Sequence, residues 1–185
     1  MGNVLNLHPE VKAAVLMAGF DESEDMLLHY SQKYVGGAVK LLLPYVTLYE
    51  RLKFGSQYTD ISAVEGMANT EAGILIVQSR DDTNVPMACG YDKFYESFSR
   101  DGRFEFILYE DKGHGYVHCS EEALDYHESI NARYEAYVEK NGGKYNDVTK
   151  QTFMEQNLDK QLCFDLDDEL MLRIIGLYDS RCTTE

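Results

Sequence analysis

Asp82 and His114 are the two residues of this sequence best placed to do chemistry together. Asp82 follows a short apolar run, Ile74-Leu75-Ile76-Val77, and His114 follows a second, Phe104 to Tyr109. If both runs are parallel strands of one sheet, their carboxyl ends share an edge. Side chains 32 positions apart in the chain then meet there. An Asp that accepts the Nδ1 proton of a His fixes the ring's tautomer and leaves Nε2 to take a proton from a nucleophile. Gly113 and Gly115 flank the histidine and allow a tight loop with the ring at the rim. Both acids, Asp81 and Asp82, also have a plainer reading, as an Asx-type turn or a helix cap ahead of Pro86.

The elements that must position these residues can be read in order. Asn3 to His8 resembles the last turns of a helix ended by Pro9, and Val11 to Met17 reads as a strand. Ser23 to Phe54 is helical: Ser23 as cap, then Met26, Leu27, Tyr30 and Tyr34, a stop at Gly36-Gly37, and a second run through Leu41, Leu42, Tyr45, Leu48, Tyr49 and Leu52. Pro44 falls inside that second run and either kinks it or marks its first turn. Two readings stay open for this aromatic region: plain core packing, or a lid over a substrate pocket. Asp60 is the expected cap of a short helix through Met67. Ile74 to Val77 reads as a strand buried on both faces, and Pro86 opens a helix with Met87, Tyr91, Phe94, Tyr95 and Phe98 on its apolar face. Phe104 to Tyr109 is the next strand, and Ser120 caps a long helix stopped by Asn141-Gly142-Gly143. Lys144 to Phe164 reads as an irregular polar excursion, and Asp167 to Tyr178 as a last amphipathic helix. Strands alternating with helices predict an α/β fold with a sheet of about three parallel strands.

The chain has 185 residues, which predicts a single domain over 1–185. Its formal charge of −15 argues against a nucleic-acid partner, which would call for a Lys/Arg footprint. Four scattered cysteines, Cys89, Cys119, Cys163 and Cys182, fit reduced thiols in a cytoplasm. No basic stretch followed by an apolar core opens the sequence, so no secretory signal is expected. No apolar run approaches the roughly 18 residues of a membrane span, so no membrane partner is expected. His114 and His118 stand four apart, a metal-binding spacing on a helix, but Gly115 between them argues for a loop and against a metal. Gly36-Gly37 lacks the Lys-Ser/Thr of a phosphate loop, so no cofactor is expected. A flavodoxin-like binding module is weakened by the same lack.

Asp82-Thr83-Asn84-Val85-Pro86 after one apolar strand, and Gly113-His114-Gly115 after the next, resemble the C-terminal part of the α/β-hydrolase fold. The nearest likeness is to its serine aminopeptidase, dienelactone-hydrolase-like and esterase branches. In that family the acid stands three residues before the Val of the Val-Pro pair, which selects Asp82 over Asp81. The resemblance makes His114 the base, Val11–Met17 the sixth strand, and residues 23–54 a helical cap. It implies a serine hydrolase that cleaves a small ester or peptide through an acyl-enzyme.

The family's serine sits on a Gly-x-Ser-x-Gly elbow before the acid and the histidine, and no such pattern occurs in this sequence. Ser23, Ser31, Ser56 and Ser62 precede Asp82 without glycines on both sides, and Ser79 would lie within a strand. The expectation is therefore a C-terminal part that is inactive alone, with its nucleophile a few residues upstream of Met1. The competing expectation is a non-catalytic, truncated or split hydrolase-like protein. It would associate with an N-terminal half or with a second copy across the exposed Val11–Met17 edge.

Overall fold

The computed structural model describes residues 2–36, 39–56, 62–143 and 146–182. The fold is mixed α/β. Among these residues lies one open sheet of three strands, β1 (Ala13–Met17), β2 (Gly73–Ser79) and β3 (Phe104–Tyr109), in the order β1-β2-β3 and parallel throughout. Every residue of β2 is buried, as a central strand covered on both faces must be. The two edge strands are less completely covered: β1 alternates between half-buried and buried residues, and only Phe104 of β3 is fully buried. Register pairs Leu75 with Val15 on one side and with Glu105 on the other.

The chain divides into two compact units, Met1–Val117 with Ile174–Glu185, and His118–Arg173. In the first unit α1 (Gly2–Leu7) packs on α4 (Ala63–Ala68). Leu5 and Met67 from these helices join Leu16, Ile74, Ile76 and Phe104 of the sheet in one apolar core. Phe94 and Phe98 of α5 (Tyr91–Phe98) complete it, Phe98 stacking on Phe104 at 4.2 Å between ring centroids. A helix of six residues such as α1 is marginal alone, and the burial of Leu5 is what holds it. At the start of α5 the backbone of Gly90 passes so close to the Gly19 carbonyl that a β-carbon there would lie 2.2 Å from the oxygen. Only glycine fits, and the loop after β1 is thereby locked to α5.

Between β1 and β2 run α2 (Ser23–Val35) and α3 (Val39–Phe54), which pack on each other. The aromatic run of α3 is not core. Leu41, Tyr45 and Leu52 are 76%, 72% and 80% exposed, and Leu42, Leu48 and Tyr49 are also exposed. Plain core packing therefore does not describe this stripe. Pro44 sits in the second turn, where its missing N–H leaves the Lys40 carbonyl without the usual intrahelical donor.

Two other expectations change. The short helix before β2 is capped by Ser62: its hydroxyl accepts from the Glu65 amide while Glu65 reaches back to the Ser62 amide. Asp60, Gly37 and the Tyr34 side chain lie outside the described residues. The stretch expected to be irregular holds two helices, α7 (Asp147–Asn157) and α8 (Lys160–Cys163), started by the side chains of Asn146 and Asp159. They belong to the second unit with α6 (Glu121–Lys140), where Ile130, Tyr134, Val138 and Phe153 form a separate small core. The last helix, α9 (Asp168–Cys182), ends against β2. A β-carbon on Gly73 would come within 3.0 Å of Leu177 Cδ1. No helix among the described residues is long and apolar enough to cross a membrane.

Candidate acid–histidine site

β2 ends at Ser79, and the ladder to β3 runs one step further, where the Arg80 amide donates to the Tyr109 carbonyl at 2.8 Å. Beyond that point both strands open into loops on the same edge of the sheet, as parallel pairing requires. Asp82 leaves β2's end with its side chain fully buried. Its Oδ1 accepts from the Asn84 and Val85 amides, each at 2.8 Å, which closes the turn. Its Oδ2 accepts from Gln78 Nε2 at 3.0 Å and lies 2.9 Å from His114 Nδ1. Asp82 thus closes the turn through one oxygen and meets the His114 ring through the other.

A buried carboxylate is costly unless its lone pairs are satisfied. Here four donors converge on it. Gln78 is buried in the last turn of pleat before Ser79, and the same Nε2 also donates to the Val85 carbonyl at 3.0 Å. Because an ionised carboxylate can only accept, Nδ1 of His114 must be the donor, and the neutral ring then carries its lone pair at Nε2. The His114 side chain is 39% exposed.

Asp81 does something different. Its Oδ1 accepts from Ser79 Oγ at 2.6 Å and from the Gly113 amide at 2.8 Å. Ser79 is fully buried, and its hydroxyl oxygen accepts from the Lys112 amide at 2.8 Å. Ser79 is therefore committed to the loop. Ser31 donates to the Leu27 carbonyl within α2, and Ser62 caps α4. Lys112 is buried with its ammonium 4.1 Å from the centre of the Tyr109 ring, a cation–π contact under the same loop. Above the acid loop, the Tyr30 hydroxyl of α2 donates to the Asn84 carbonyl at 2.6 Å. The peptide whose amide holds Asp82 is so held in turn by the helical segment between β1 and β2.

One cluster of metal-ligating types appears among the described residues, Asp21, Glu22 and Asp25, at the end of β1. Lys93 of α5 already supplies a cation there. Its ammonium bonds Asp21 at 3.0 Å and Asp25, with Glu22 at 3.6 Å. Burial works against that charge, but the bonds to Asp25 and Asp21 outweigh it and hold the ammonium well above the ordinary lysine range. His118 lies in the second unit, where its carbonyl accepts from the Asp167 amide.

The structure brings Asp82 and His114 together and assigns Asp81 to the backbone of the same loop. Sequence reasoning missed Gln78, although a lone amide in an otherwise apolar strand was a visible signal. It also missed Tyr30, whose contact with Asn84 spans 54 positions and leaves no local trace. Compared with known protein families, with curated proteins and with solved structures, the chain matches none. The fold and site define a mixed α/β chain with an acid–histidine pair at the carboxyl edge of an open parallel sheet.

Proposed function

We propose that this chain carries the acid and base of a serine-hydrolase relay of the α/β-hydrolase kind, acting on the ester or amide bond of a small substrate. The observation that carries the reading is the 2.9 Å contact between the buried Asp82 carboxylate and His114 Nδ1 across the ends of two adjacent parallel strands. In this reading His114 Nε2 takes the proton of an attacking hydroxyl and returns it to the leaving group, while Asp82 holds the tautomer and offsets the imidazolium charge. The nucleophile is supplied from outside these 185 residues, on a serine elbow that this sequence lacks. The described cysteines are free thiols, in keeping with a reducing compartment such as the cytoplasm.

A fluorophosphonate probe tests this. The chain alone is expected to remain unlabelled. The protein extended by the coding sequence immediately upstream, if that encodes a Gly-x-Ser-x-Gly, is expected to label at that serine and to lose labelling in His114→Gln. Labelling of the 185-residue chain at one of its own serines, or labelling indifferent to His114, overturns the reading.

A second reading is favoured by the exposed stripe of α3 and by the outer edge of β1, which pairs with no strand among the described residues. It makes the chain a non-catalytic protein that associates with another chain. An upstream sequence with no serine elbow would leave this reading standing.

A further inference from the structure

Two adjacent acids follow the end of β2, and the geometry divides them between the histidine ring and its loop backbone. Asp82 turns inward to the ring. Asp81 stays at the surface and binds the main chain of the histidine's loop at Gly113, the residue directly before His114. The preceding amide, Lys112, is held by Ser79, whose hydroxyl donates in turn to Asp81. Consecutive amides of the loop are thereby fastened to the end of β2 by one short chain of hydrogen bonds. The loop has reason to require it. Gly113 adopts a positive φ of 61°, Gly115 follows the histidine, and glycines lose more conformational freedom on ordering than any other residue. With 39% of its side chain exposed, His114 is not held by packing on every side. Where its ring sits then depends on where its backbone is held as well as on the Asp82 bond.

We propose that Asp81 is a positioning residue for His114, acting as the acceptor for the Gly113 amide and the Ser79 hydroxyl and not on the ring itself. The inference rests on the reading of Asp82 and His114 as a working acid–histidine pair. Asp81 acts by its oxygen and not by its charge. Asparagine, which keeps Oδ1 as an acceptor for both donors, therefore preserves the effect, and alanine removes it.

Imidazole 15N shifts of His114 and exchange of the Gly113 amide, recorded on the full chain at a pH where the ring is neutral, test this. The wild type is expected in the Nδ1–H form. In Asp82→Asn the two turn amides still demand an acceptor, so the new amide nitrogen faces the ring and His114 is expected to switch to the Nε2–H form. If Asp82→Asn leaves the tautomer unchanged, the pair reading itself fails. If it switches the tautomer, Asp81 is judged separately. Asp81→Ala is expected to speed Gly113 exchange about tenfold or more and to leave the ring divided between tautomers, while Asp81→Asn stays close to wild type. Asp81 is exposed, so its removal spares the core. Should alanine fail to fold, Asp81→Ser, too short to reach both donors, takes its place. A wild-type ring and unchanged Gly113 protection in the alanine or serine variant overturn the proposal. So does an asparagine variant that behaves as alanine does, because the effect would then be one of charge.

Discussion

The edge of the sheet where β2 and β3 end and the outward face of α3 are opposites in how their side chains are used. At the edge, the side chains of Gln78, Ser79, Asp81 and Asp82 bond one another, the neighbouring loop backbone or the His114 ring, each of these bonds within 3.0 Å. On α3, six large apolar side chains recur at helical spacing and face water. The first region is specified by interactions made within this chain. The second has the pattern of a helix face meant to be covered, with the covering absent among the described residues. Stability and site geometry should therefore depend on the edge and be nearly indifferent to α3.

The largest effect that could break this contrast is at Asp82. Asp82→Ala strips the partner from two turn amides, from Gln78 and from His114, and is expected to cost about 3 kcal/mol in urea unfolding. A loss below about 1 kcal/mol would mean the edge relaxes freely and is no more specified than the helix.

A smaller effect belongs to Lys93, which ties the loop after β1 and the start of α2 to α5. Its side chain is about a third exposed, so solvent screening limits Lys93→Gln to roughly 1 kcal/mol or less. The sign of its pH dependence is set by the raised folded pKa. The contribution is fully present below the unfolded lysine value of about 10.4 and is lost as pH rises through the higher folded value. The stability difference between wild type and Lys93→Gln should thus be level across neutral and mildly alkaline pH as far as this lysine decides it, and shrink only in strong alkali. A difference that already fades between pH 7 and 9 would show that Lys93 is not held as described.

The smallest effect sharpens the comparison from the other side. Leu52→Ser on α3 should change unfolding stability by no more than about 0.5 kcal/mol and reduce binding of an apolar dye such as ANS. A loss as large as that at Asp82 would mean that Leu52 is covered in solution.

What the sequence disclosed follows the same division. The Ile74–Val77 run announces a strand buried on both faces, and the acid and histidine each stand just past a strand, so their meeting needs only parallel pairing. Asp81 was legible as a turn residue but not as the anchor of Gly113, because that bond depends on a loop 32 positions away. The helices α7 and α8 escaped notice because their caps, Asn146 and Asp159, sit in polar sequence, and each helix buries a single residue, Phe153 and Cys163. Periodicity in α3 revealed a stripe but not its direction. A helix face toward the core and one toward a missing partner are written with the same residues.

The register of β2 and β3 carries one more consequence. Ser79 lies opposite Tyr109, and the acid stands three residues past the first while the histidine stands five past the second. Those two short offsets, measured from a shared rung, are the only distances along the chain that the pair depends on. The number of residues between the two strands does not enter those offsets, although α5 within that segment packs the core. A single residue inserted between Ser79 and Asp82 would disconnect them while leaving every side chain of the site present. The site is thus guarded by counting, and a one-codon insertion scan would find its boundaries more sharply than any substitution.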